Sequence, residues 1–142
     1  MTVELLDEGP DDPEKVLISW LAPLRRTASV RRSGDPLPFT LVNHLSGSED
    51  VDLSAFDALV SVNTLCDKSL GEDNAADESD MTHRRLLLQA RYLEDVDLAD
   101  GRIATIDYLK VFEHPVCKPY GDDQIIRYVG RYILGLSYAN VL

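Results

Sequence analysis

The sequence predicts an α+β domain: a mostly antiparallel, mixed β-sheet of about five strands with two amphipathic helices packed on one face. Three observations predict it. Two stretches repeat apolar residues at helical spacing, others alternate or are rich in β-branched and aromatic residues, and the breaks between strands are Pro, Gly and Asp clusters suited to hairpins. The 142 residues fit one domain, 1–142, with 1–11 expected as a flexible acidic tail.

The first helix is expected to start at Pro13. Asp12 can cap it, Glu14 lies in its first turn, and Val16, Leu17, Trp20, Leu21 and Leu24 form one apolar face ending near Pro23. Trp20 on that face is expected in the core. Strands over 28–31 and 38–45 are expected around a turn at 33–37, which holds Gly34, Asp35 and Pro36. A Gly/Ser/Asp loop over 46–53 follows, then a strand over 58–66 with Ala58, Val60, Val62, Thr64 and Cys66 on its buried side. Residues 67–80 carry six acids against one lysine and read either as a solvated loop or as the start of a helix. The helix itself is expected from Met81, burying Leu86, Leu87, Ala90 and Leu93 and leaving His83, Arg84, Arg85 and Gln89 in water. A strand over 105–113 should place Ile106, Tyr108, Lys110 and Phe112 on one side, before a rigid loop at Pro115, Pro119 and Gly121. Residues 124–136 fit both helical and strand periods; Gly130, Gly135 and the β-branched and aromatic content favour a strand.

Charge narrows the function classes. Fourteen Lys+Arg against 25 Asp+Glu give a net charge of −11, which repels nucleic acid and argues for solubility. No apolar run approaches the roughly 18 residues that span a bilayer, and the N-terminus has no apolar signal region, so the expected setting is a cytoplasm and no membrane. Cys66 and Cys117 lack metal or redox spacing and are expected to be small buried hydrophobes.

Chemistry is sparse. His44, His83 and His114 have no ligand spacing, so neither a metal nor any other cofactor is expected. There is no G-x-S-x-G, no phosphate-binding loop and no G-x-G-x-x-G, and the acid pairs Glu49/Asp50 and Asp122/Asp123 are ordinary for a chain with this many carboxylates. Arg25, Arg26, Arg31 and Arg32 cluster around the first strand. They could form a phosphate-binding patch, but without interleaved aromatics and against the net charge they read rather as partners for acids, which a neighbouring copy could supply.

Four phrases together resemble the tail terminator, or tail completion, proteins of long-tailed bacteriophages, particularly those of actinobacterial hosts. They are "DPEKVLISWLAPL" followed by "RRSGDPLPFTLVNHLSG", "DVDLSAFDALVSVNTLCDKS", the arginine- and leucine-bearing helix at 81–94, and "IDYLKVFEHPVCKPYGDDQIIRYVGRYILGLS". The ending "GLSYANVL" departs from the basic final residue usual in that family. The resemblance implies a non-enzymatic virion protein at the head–tail junction, made in the bacterial cytoplasm. A ring of such subunits, expected to be a hexamer, caps the tail tube protein, ends tube growth and presents a surface to the head-side connector or stopper protein. Genomic DNA would pass through the ring without specific binding, helped by the acidic charge. A closed ring needs two different contact faces on each subunit. On this reading the strand 38–45 and the loop 46–53 contact the next subunit through Phe39, Leu41, His44, Glu49, Asp50 and Asp52, with Arg25, Arg26, Arg31 and Arg32 meeting acids across the interface. Pro36 and Pro38 would stiffen the approach and limit stray edge pairing. A head-completion or connector ring protein is the alternative at the same junction. A small cytoplasmic enzyme, a ligand-binding domain and a regulatory interaction module are the alternatives of other classes.

Overall fold

The computed structural model describes residues 3–6 and 9–138. Two helices, α1 (Pro13–Leu21) and α2 (Glu72–Tyr92), lie on one face of a five-stranded sheet whose order is β1 (Thr27–Ala28), β2 (Phe39–Asp50), β3 (Ala55–Asp67), β7 (Ile125–Ser137) and β6 (Tyr108–Lys118). Only β1 and β2 run parallel; β4 (Val96–Asp97) and β5 (Ile103–Ala104) form a separate small ribbon. The expected α+β class holds.

Alternation builds the core. The even-numbered residues Phe56, Ala58, Val60 and Val62 of β3 and Tyr132, Leu134 and Leu136 of β7 face the same side, where they meet Val16, Leu17, Trp20 and Leu21 of α1 and Leu86 of α2. The register between β3 and β7 is unbroken from Ala55↔Ser137 to Asp67↔Ile125, so the two strands form the sheet's spine. On the other side, Phe39, Leu65 and Ile125 make a smaller cluster lined by Ala28, Leu37, Leu41 and Tyr120.

The helix ends follow local chemistry. Asp12 accepts from the Glu14 amide at 2.9 Å, as its capping position predicts. The acidic stretch resolves as a 3-10 turn (Lys68–Leu70) and then the first turns of α2, where Glu72 and Asp73 complement the dipole. At the far end Gln89, fully buried, donates to the Glu94 carbonyl (2.8 Å) and accepts from the Glu94 amide (2.7 Å), while Leu93 turns left-handed at φ 49°. Two elements are then locked together: Trp20 Nε1 donates to the Arg85 carbonyl, Arg85 Nε donates to the Trp20 carbonyl, both at 2.9 Å, and the guanidinium sits 3.6 Å from the indole centroid.

Several expectations are corrected. The buried stripe of α2 is Ala75, Ser79, Thr82, Leu86 and Gln89, with His83 beside it, so His83 and Gln89 are not in water and Leu87 is 41% exposed rather than packed. The stripe is small and polar because it lies over polar residues of the sheet, Thr64 among them, and a search for leucines passes over it. Strands 28–31 and 38–45 do not form a hairpin. Pro36 and Pro38 have no amide to donate, so β2 begins only at Phe39. The expected turn is present at 32–35, with Gly34 at φ +92°, but the chain returns to lay Thr27–Ala28 parallel to Thr40–Leu41 rather than antiparallel.

The expected loop 46–53 is mostly strand: β2 continues to Asp50 through a bulge that leaves Leu45 unpaired, and only a turn at 51–54 remains. Gly47 is required there, since a Cβ would stand 2.6 Å from the Phe56 ring and 2.8 Å from the Asp57 carbonyl. Pro115 does not end β6, which tolerates it as an edge strand with two irregularities. Leu109 is the buried residue of β6, while Lys110 and Phe112 face solvent. The tail expected over 1–11 is anchored at its end, where Pro10 bridges to Tyr138 and Asp11 pairs with Arg102; Met1, Thr2, Asp7 and Glu8 lie outside the described residues.

One polar network ties these layers. Arg25, its side chain 4% exposed, bonds Glu78 through Nε (3.1 Å) and Nη2 (2.6 Å), and donates to Thr40 (3.0 Å), Thr82 (2.5 Å) and the Glu78 carbonyl (3.1 Å). Arg25→Ala strips a half-buried carboxylate and two buried hydroxyls of their donor. It is expected to cost about 3 kcal/mol, seen as a lower midpoint in denaturant unfolding, with Arg25→Lys recovering only part because a single ammonium cannot reproduce the forked contacts.

Candidate functional site

The sequence-derived contact residues divide into three groups. Arg25 and Phe39 are interior: Arg25 belongs to the network with Glu78, and Phe39 is fully buried in the smaller cluster. Both are removed from the contact surface. Arg26, Arg31 and Arg32 surround an acid of the same chain, Asp35. Arg26 stands 3.4 Å from its carboxylate, Arg31 donates to its carbonyl at 2.7 Å, and the Arg32 amide donates to its carboxylate at 2.7 Å. These residues hold the loop that carries the chain from β1 to β2. Leu41 is half-buried in β2.

The third group is exposed. His44 anchors to α1, its amide donating to Glu14 at 2.7 Å, while its Nε2 donates to the Ser46 carbonyl at 2.9 Å and its ring meets Phe56 edge-on. Glu49, Asp50 and Asp52 crowd the end of the β2–β3 hairpin beside Val51 and Leu53, which are 60% and 75% exposed. The tip is held in shape. Asp50 accepts from the Leu53 amide (3.2 Å), Glu49 accepts from the Tyr138 hydroxyl (2.6 Å), and the Tyr138 amide donates to the Ser54 carbonyl (2.8 Å). Ten residues of strand separate Thr40, beside Arg26, from Asp50, roughly 33 Å of extended chain. Within one chain the arginines of the 25–32 segment therefore do not meet the tip acids.

The sheet has two unlike open edges. Beyond Leu41 the outer side of β2 pairs with no strand among the described residues, although Glu14 of α1 takes the His44 amide there. The opposite edge, β6, carries exposed Val111, Phe112 and Val116 among Lys110 and Lys118. Between them the face without helices is mixed: Arg131 grips Glu113, and Tyr108 donates to Asp57, its hydroxyl pushed up to about 12 by burial first and then by that carboxylate.

Sequence reasoning missed one cluster and one patch. His83, expected in water, is buried, 2.7 Å from the Tyr132 hydroxyl and in edge contact with His114 of β6, with Ser79 and Asp80 close by. Burial and then His114 hold its imidazole below the usual range, against the pull of Asp80. The outer face of α2 differs from the expectation because Leu87 and Leu93, counted with the core, are exposed. Cys66 is buried as expected, its thiol pushed up to about 11 mainly by burial, but Cys117 is exposed on the β6 edge.

Among the described residues, no three His, Cys, Asp or Glu side chains converge to hold a metal, and no helix is long and apolar enough to cross a membrane. The chain matches no family model, and no curated protein is significantly similar to it.

The His83 contact has a pH consequence. Its folded proton affinity is lowered, so below the reference value of 6.5 the unfolded chain takes up a proton that the folded chain refuses. Stability therefore falls as pH drops below that value and levels off under the folded pKa. Thermal unfolding between pH 7.5 and 5.5 should show a shallower acid loss in His83→Gln than in the wild type; equal slopes would remove His83 as the cause.

Proposed function

We propose that this chain is a non-enzymatic virion component: a tail terminator that assembles as a ring, expected to be a hexamer, on the end of a phage tail tube, halts tube growth and offers a docking surface to the head-side connector. The observation that carries the reading is the presence of two different open edges on one sheet, β2 with its acidic tip and β6 with its exposed Val111, Phe112 and Val116. A ring closes only through heterologous contacts, and unpaired strands are natural material for them. Of the phrases that resemble the tail terminator family, the first runs from α1 into β2 and the last covers β6 and β7, so both open edges carry them, while the others lie on β3 and α2. The net charge of −11 suits a conduit through which DNA slides without adhering.

The test is direct. Tail tube protein polymerising in the presence of the purified chain should give tubes that stop lengthening, each with one ring-shaped cap in negative-stain images. Tubes that grow unchanged, with no density at their ends, would rule the function out. Capping of the portal side instead would favour the head-completion alternative.

A further inference from the structure

The outer face of α2 carries a stripe that the intrachain packing leaves unused. Arg84, Leu87, Leu88, Arg91 and Tyr92 recur at helical spacing and line a groove of about 600 Å³ with Ala90. Leu87, Leu88 and Tyr92 are 41%, 39% and 63% exposed. In a chain of net charge −11, this patch concentrates two arginines around apolar surface. Arg84 makes only a loose, solvent-exposed pair with Asp80 at 3.7 Å, and Arg91 has no carboxylate partner among the described residues.

The hairpin tip is its complement. Val51 and Leu53 project apolar side chains from a setting of Glu49, Asp50 and Asp52, and Asp52 has no partner among the described residues. Its turn is fixed by the Ser54 amide bonding the Val51 carbonyl at 3.2 Å and by the Tyr138 contacts, so docking would order little further chain.

We infer that the α2 groove receives the β2–β3 hairpin tip of a second copy of this chain, with Val51 and Leu53 seated against Leu87, Leu88 and Tyr92, and Asp52 paired with Arg91. Tip and groove are different surfaces of one chain, so each copy gives a tip and accepts one, the head-to-tail pattern that closes into rings or propagates. Opposite local charges overcome the repulsion between two acidic chains where they touch. The contact rests on the ring reading and adds to the open β2 and β6 edges a further pair of unlike surfaces, the tip and the α2 groove; it stands or falls separately from the tail-tube assignment.

The experiment uses charge reversal on the full chain. Light scattering across concentration should show wild-type association, weakened about tenfold or more in Asp52→Arg and in Arg91→Asp. Both positions are exposed, and circular dichroism and unfolding midpoints verify that the variants fold. An equimolar mixture of the two variants, in which each tip meets a groove of opposite charge, should regain association, as should the double variant. A Leu53→Cys, Leu88→Cys chain in a Cys117→Ser background should form intermolecular disulfides on oxidation. A wild-type chain that stays monomeric at every concentration, single variants that associate normally, or a mixture that fails to recover would each overturn the contact. Tubes capped normally by Asp52→Arg would sink the contact and spare the tail reading. Association that follows the charge swap without any tube capping would do the reverse.

Discussion

The guanidinium of Arg25 sits where three parts of the chain meet: the segment leaving α1, the start of β2 through Thr40, and the middle of α2 through Glu78 and Thr82. An arginine with 4% of its side chain exposed would be a heavy desolvation cost if unpaired. Here every nitrogen has an acceptor, and Thr82 passes the network on to Thr64 of β3 at 3.2 Å and back to its own helix through the Glu78 carbonyl at 3.0 Å. Apolar packing alone would let α2 slide over the sheet. A forked donor that must meet Glu78 and two threonines at once permits one register. That register in turn brings Arg85 over Trp20 and His83 against Tyr132, so the core on one side and the stripe facing outward on the other share a cause.

The same constraint explains why some of the architecture was legible in the sequence and some was not. α1 was readable to the residue at its start, because its signals there are local, a capping Asp12 and Pro13 at the first position; its end falls at Leu21, short of Pro23 and Leu24. β3 was readable from its alternation; β7 fits both periods, and Gly130, Gly135 and its β-branched and aromatic content are what point to a strand. α2 was readable as a helix, and its orientation was misread. Its inward face is chosen by long-range polar partners, and Thr82, His83 and Gln89 look like surface residues until Arg25, Tyr132 and Glu94 are placed beside them. The parallel pairing of β1 was likewise invisible, because it depends on Asp35 gathering the amide of Arg32 and the side chains of Arg26 and Arg31 into one closed loop.

For the contact surface the division is similar. The acidic tip announced itself as "SEDVD", although as a loop and not as the end of a long hairpin. The arginines of 25–32 looked like its partners across an interface because composition cannot say which acids of the same chain already hold them. The basic stripe on α2 was hidden by the opposite error, leucines credited to a core they do not enter.

Salt separates what the charges do. Eleven net negative charges on each copy repel at long range, and this repulsion is damped once the Debye length shrinks to about 8 Å at physiological ionic strength. A pair such as Asp52 and Arg91, closed over apolar side chains, is screened far less. Added salt should therefore first ease the approach of two acidic chains and only later weaken the contact between tip and groove. A surface built mainly of long-range attraction would lose affinity from the first increment. On the inferred tip-and-groove contact, an acidic chain with one small basic and apolar landing place concentrates its attraction for a second copy there, while its net charge keeps nucleic acid at a distance.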